Sequence, residues 1–88
     1  MSAPAPKQTI RLTLYGRSYC HLCEDMLAAL MALAPELGFE VEVVDLDRYP
    51  ELEARYGEWV PVLTHGDIQI CHYHLDRARL TAHLAAFR

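Results

Sequence analysis

No apolar run in this 88-residue chain approaches the ~20 residues that a helix needs to cross a bilayer, so no membrane partner is expected. Basic residues are outnumbered, eight Lys and Arg against twelve Asp and Glu for a formal net charge of −4, and they are scattered. The basic patch that a nucleic-acid partner calls for is missing, which excludes that class. Cysteine is scarce: three residues, an odd number, argue against a disulfide scaffold and fit a reducing cytoplasm in which thiols act as reagents. Internal repeats and low-complexity segments are absent. Residues 1–9 hold two prolines, small residues and one lysine, without the apolar stretch of a secretory signal, and are expected to form a disordered lead-in. Residues 10–88 are then enough for one compact domain and too few for two. An apolar share of 52% is ample for its core.

What the chain does have is a junction at Tyr15-Gly16-Arg17-Ser18-Tyr19-Cys20-His21-Leu22-Cys23. Before it, Ile10, Leu12 and Leu14 alternate with Arg11 and Thr13, as in a half-buried strand. After it, Cys23, Met26, Leu27, Leu30, Met31 and Ala34 recur at helical spacing. The period changes from two to about 3.6 at Cys20. A cysteine at a helix cap faces the orphan amides of the first turn, and the residue three further on carries the amide that a capping side chain normally bonds. Those amides and the positive helix end favour a thiolate, the nucleophile of disulfide exchange. Cys20 is therefore the expected attacking group and Cys23, one turn further in, the expected resolving group. Arg17 and His21 are expected to add positive charge near Cys20, while Glu24 and Asp25 oppose it and are expected to rotate out to solvent. Two cysteines at this spacing also occur as half of a zinc site or as small buried hydrophobes. No second CxxC supplies the other half of a zinc knuckle.

The first helix is expected to end near Leu33, with Pro35 disturbing its last turn and Gly38 marking its end. Residues 39–46 read as a strand parallel to the first, reached by a right-handed crossover. A loop over 45–50 leads to a short helix over 50–56, with Asp47 as its cap, Pro50 at its start and Gly57 as its stop. A strand over 59–64 carries Pro61 near its beginning, where a missing amide is tolerated. The turn His65-Gly66-Asp67 returns it into a strand over 68–71. Centring that turn on Gly66 puts Cys71 opposite Pro61, at the end of the sheet that holds Cys20, on an edge strand with its side chain free to turn outward. The last helix is expected over 75–87, with Leu75, Ala78, Arg79, Ala82 and Ala86 on a broad side shared with Leu80, Leu84 and Phe87.

This order resembles the thioredoxin fold in its minimal glutaredoxin form, an α/β arrangement (βαβ-α-ββα) with a four-stranded mixed sheet flanked by three helices. The chain is most similar to small glutaredoxin-like proteins, mainly bacterial and long catalogued as a domain of unknown function. Three blocks carry the likeness: residues 14–26 around the CxxC; Val44-Asp45-Leu46-Asp47 with Pro50-Glu51-Leu52 and Arg55-Tyr56-Gly57; and Val60-Pro61-Val62-Leu63. The resemblance implies a thiol-disulfide oxidoreductase without a permanently bound cofactor or a metal. It further implies a cis bond between Val60 and Pro61 facing the cysteines, with the backbone before Pro61 bonding an extended thiol substrate or glutathione. The implied partners are a disulfide-bearing protein or a small thiol, with glutathione or a thioredoxin-type reductase as the source of electrons. Arg17 stands where glutaredoxins carry a lysine that approaches a glutathione carboxylate; a solvated surface arginine is the alternative. Two departures stand out. His21-Leu22 replaces the usual proline between the cysteines, and Cys71-His72 replaces the glycine pair that lets glutathione approach the backbone, so the likeness does not extend to conventional glutathione use.

Tyr19 and Trp59 flank the active stretch and Pro61, and are candidates for substrate contact or for covering the core. Cys71 is a candidate for trapping a mixed disulfide, for binding metal with His72 and His74, or for no role. The competing function is a metal-binding or redox-silent interaction module that uses Cys20, Cys23 and either Cys71 or His21 as ligands.

Overall fold

Alternation writes the first strand directly into the structure, a computed structural model that describes residues 9–87. The expected lead-in over 1–9 lies outside the described residues except for Thr9. Strand β1 (Ile10–Gly16) buries Ile10, Leu12, Leu14 and Gly16 and leaves the residues between them more open. It pairs in parallel with β2 (Phe39–Asp45), from Ile10 opposite Phe39 to Gly16 opposite Asp45. On its other side it pairs antiparallel with β3 (Val62–His65), which pairs antiparallel with β4 (Ile68–His72). The order is β2-β1-β3-β4, a mixed four-stranded sheet.

Helix α1 (His21–Leu37) crosses between the parallel strands and buries Cys23, Met26, Leu30 and Leu33 at spacings of three and four. It runs one turn beyond the expected end near Leu33 and passes through Pro35. Proline already has a helical φ, and its costs are a lost amide and crowding against the carbonyl four residues back. That carbonyl belongs to Met31, on the solvent side where the backbone can relax; Met31, expected in the apolar stripe, is instead 58% exposed. Leu33 and Leu37 hold the last turn to the core, and Gly38, left-handed at φ 72°, closes the helix by donating its amide to the Ala34 carbonyl.

The two faces of the sheet are covered separately. On one, Leu12, Leu14 and Leu63 meet Met26 and Leu30 of α1 and Leu80 and Leu84 of α3 (Arg77–Ala86). Leu12, Leu30 and Leu80 are wholly buried, and each such side chain contributes on the order of 2 kcal/mol. On the other face, Leu46, Tyr56 and Val62 form a smaller core under α2 (Pro50–Tyr56), with Tyr15 stacked on Tyr56 at 4.5 Å between ring centres.

Three local expectations change. The loop after β2 is a 3₁₀ turn, Leu46–Arg48, capped by Asp45, whose Oδ1 accepts from the Asp47 amide. Asp47 does not cap α2. That helix has no side-chain cap, because the Tyr49 carbonyl takes the Leu52 and Glu53 amides and Pro50 has none to satisfy. Helix α3 begins at Arg77, with the Asp76 carboxylate accepting from the Arg79 amide at 3.0 Å, and its buried seam is narrow, Leu80 and Leu84, while Ala78, Arg79, Ala82 and Ala86 face out.

The third change is the register of β4. Cys71 lies opposite Leu63, not Pro61, for two reasons. His65 pairs with Ile68, so the turn is Gly66-Asp67 and moves the register by one. A bulge between Leu63 and Thr64 moves it by one more, with Gln69 facing Thr64, Cys71 facing Leu63 and Ile70 the extra residue. Two successive side chains, Ile70 and Cys71, then turn inward, at 3% and 5% exposure. Among the described residues, no helix is long and apolar enough to cross a membrane.

Candidate active site

Cys20 is the N-cap residue of α1, extended at φ −111° and ψ 109°, and its Sγ accepts the Cys23 amide at 3.2 Å. Its carbonyl accepts from Glu24, the first bond of the helix. The sulfur does what a serine or aspartate oxygen does at other helix starts, with the difference that a thiolate there is a nucleophile. Cys20 is partly exposed and Cys23 buried, and both are free thiols. Burial first, then the hydrogen bond and charge of Cys20, push the Cys23 thiol up to about 11; the Arg17 main chain and charge pull the other way. The room for Cys23 comes from Gly16, where any Cβ would stand 3.1 Å from the Cys23 sulfur. A cavity of about 190 Å³ opens beside this sulfur, with Leu14, Leu27 and Val43 on its apolar side.

The residues around the pair fall into two groups. Tyr19, with φ 61° and no shielding at all, points its ring into solvent directly before Cys20. His21 is also open, with its Nδ1 3.8 Å from the Glu24 carboxylate. The expected positive charge of Arg17 is spent elsewhere. Its Nη1 and Nη2 donate to the two Glu53 oxygens at 2.6 and 2.7 Å, Nη2 also donates to the Gly57 carbonyl at 2.7 Å, and Asp47 lies 3.5 Å away. This bidentate pair ties the loop before α1 to α2 and corrects the expectation of a cation left to Cys20.

At the same end of the sheet, where the start of β3 lies beside the end of β1, the Val60–Pro61 bond is cis, Pro61 is buried and Val60 packs against the smaller core. The ladder begins only at Val62, so the main chain of Val60 lies before it. Trp59, 46% exposed, stands edge-on to His72 at 5.4 Å and tilted to Tyr73 at 6.1 Å. Tyr73 was not a sequence candidate. It takes a left-handed φ of 64°, donates its amide to the Pro61 carbonyl and its hydroxyl to the Glu58 carbonyl, and so joins the end of β4 to the proline loop. Nothing in His72-Tyr73-His74 signals this, since the partners are twelve and fifteen residues away.

Cys71 departs most from expectation. Its side chain lies in the main core, not turned out from the edge, and burial pushes its thiol up while the Asp76 backbone bond lowers it. His72 and His74 are exposed beside it. Among the described residues, no three His, Cys, Asp or Glu side chains are grouped to hold a metal ion. Glu53 and Asp47, which decide the state of Arg17, were also missed as site residues; a bond spanning 36 positions has no local signature.

Comparison with known proteins agrees with this geometry. Protein Ne2328 from Nitrosomonas europaea is similar over 92% of this chain and 98% of its own, with a TM-score of 0.79 and 37% identity. Protein XcR50 from X. campestris is 40% identical, with a TM-score of 0.64 over 85% of this chain and 96% of its own. Thioredoxin 1 from Thermosipho africanus shares the fold alone: TM-score 0.59, 16% identity, 88% of this chain and 92% of its own. A family model for the glutaredoxin-like domain matches residues 11–85. With its four-stranded mixed sheet, three helices and a close cysteine pair at the head of α1, this thioredoxin-fold chain belongs to the glutaredoxin-like domain family (DUF836).

Proposed function

We propose that the protein is a thiol-disulfide oxidoreductase in which Cys20 attacks and Cys23 resolves. The observation that carries this reading is the Cys20 sulfur held as the cap of α1, partly exposed, 3.2 Å from the Cys23 amide. In the first step the Cys20 thiolate attacks one sulfur of a substrate disulfide; a Cys20–substrate bond forms, the substrate S–S bond breaks, and the leaving sulfur takes a proton from solvent. Cys20 then no longer carries the hydrogen bond and charge that help raise the Cys23 thiol, so Cys23 deprotonates more readily at the moment it is needed. The Cys23 thiolate displaces the substrate from Cys20, which closes the Cys20–Cys23 disulfide and leaves the substrate reduced by two electrons. A dithiol reductase or a low-molecular-weight thiol such as glutathione restores the pair, in a reducing compartment such as the cytoplasm.

The main chain of Val60 before Pro61 supplies hydrogen bonds to an extended substrate, Trp59 and His72 supply exposed aromatic surface beside it, and Tyr19 supplies exposed aromatic surface directly before Cys20. Cys71, buried in the main core, takes no part in this reading. The test is reduction of a protein disulfide by the wild type and by Cys23→Ser. The wild type is expected to turn over, and Cys23→Ser to accumulate a Cys20 mixed disulfide visible by mass spectrometry. Wild type that reduces nothing faster than free dithiothreitol would sink the reading.

A further inference from the structure

We infer that Glu53 is a specificity determinant: by occupying Arg17 it leaves the cysteine pair without a free cation, so the site accepts neutral and basic disulfides and turns away anionic ones. This rests on the exchange reading above. Arg17 is the cation whose field reaches Cys23, and it lines the cavity beside that sulfur together with two acids, Glu24 and Asp45. An unpaired guanidinium there would be a ready seat for a substrate carboxylate. Instead, both hydrogens of Nη2 and one of Nη1 go to Glu53 and the Gly57 carbonyl, and Nη1 also faces Asp47. One positive charge is thus set against Glu53, Asp47, Glu24 and Asp45, with Asp25 open in the first turn of α1. The other described arginines have other settings: Arg55 lies over the Tyr56 ring, Arg11 pairs with Glu40, Arg77 and Arg79 stand at the start of α3 beside Asp76, and Arg48, on the turn after β2, lines a separate groove with Glu42 and Asp45. His21, the remaining basic group in the first turn, faces Glu24. A carboxylate approaching Cys20 and Cys23 therefore meets a net negative surface, and an ammonium group meets a favourable one.

The experiment measures mixed-disulfide formation at Cys20 with three small symmetric disulfides of different charge: cystamine, bis(2-hydroxyethyl) disulfide and 3,3′-dithiodipropionate. In the wild type the anionic reagent is expected to react about fivefold or more slowly than the neutral one at low salt, with the gap closing as salt is raised. Glu53→Gln, which keeps the shape of the clamp and removes its charge, is expected to narrow that gap by about threefold, and Asp47→Asn to do so more weakly. Adding Arg17→Gln to Glu53→Gln is expected to abolish the gain. A wild type that does not discriminate by charge, a Glu53→Gln ratio equal to wild type, or a gain that survives the loss of Arg17 would each overturn the inference. Any thiol reacts with these reagents, so the charge ratio is read even if the oxidoreductase reading fails; that failure would show separately, as rates of an ordinary thiol with no Cys20–Cys23 disulfide formed.

Discussion

The heads of α1 and α3 each stand next to a cysteine. At α1 the cap is the Cys20 sulfur itself, partly exposed, with its helix amide bonded to it. At α3 the cap is the Asp76 carboxylate, and Cys71 lies behind it in the core, with only 5% of its surface exposed and its thiol pushed up by burial. The Asp76 backbone bond favours a Cys71 thiolate, yet the burial and the Asp76 charge oppose it. A helix start is thus not enough to make a reactive thiol. The sulfur must also be reachable, and the cap position must not already belong to a fixed anion.

The largest test of that contrast is activity. Cys20→Ser is expected to lower disulfide reduction by about a thousandfold while keeping the cap through the serine hydroxyl, and Cys71→Ser is expected to leave it within about twofold. Equal losses from both would erase the distinction. Next comes alkylation of the folded, reduced protein, followed site by site by mass spectrometry. Cys20 is expected to be modified first, with Cys71 protected. Cys23, whose thiol is raised to about 11, should react about tenfold faster per pH unit until that value is reached. The same shift has a consequence for stability. The native state holds the Cys23 proton more tightly than the unfolded chain does, so its contribution is fully present below the ordinary thiol range and is lost as pH rises through about 11. A denaturation midpoint that rises over this interval in wild type relative to Cys23→Ala would contradict the assignment.

A third test separates crowding from backbone strain. Gly16→Ala places a methyl against the Cys23 sulfur and is expected to cost about 1–3 kcal/mol by chemical denaturation. Gly66→Ala, in open space but at φ 59°, is expected to cost about 1 kcal/mol and to leave Cys23 alkylation unchanged. The smallest effect belongs to the α3 cap. Asp76→Ala removes the bond to the Arg79 amide and should cost about 1 kcal/mol, without altering Cys20 alkylation. A matching change at Cys20 would mean that the two helix heads are coupled.

The sequence by itself determined whatever depends on neighbours along the chain. The alternation of Ile10, Leu12 and Leu14 placed β1, the spacing of Cys20 and Cys23 placed a sulfur on the cap of α1, and Pro50 placed the start of α2. Each of these rests on interactions within a turn or a pleat, whose geometry is the same in any protein. The tertiary structure decided the rest. The end of α1 lies past Pro35 because Leu33 and Leu37 find a core to pack on, which the proline alone does not reveal. Cys71 turns inward because one extra residue in β4 shifts the ladder, a local change of small cost that reverses the face of a side chain. Arg17 is a clamp and not a free cation because Glu53, 36 residues later, is brought to it by the packing of α2, and charges meet across such a distance only after the chain has folded.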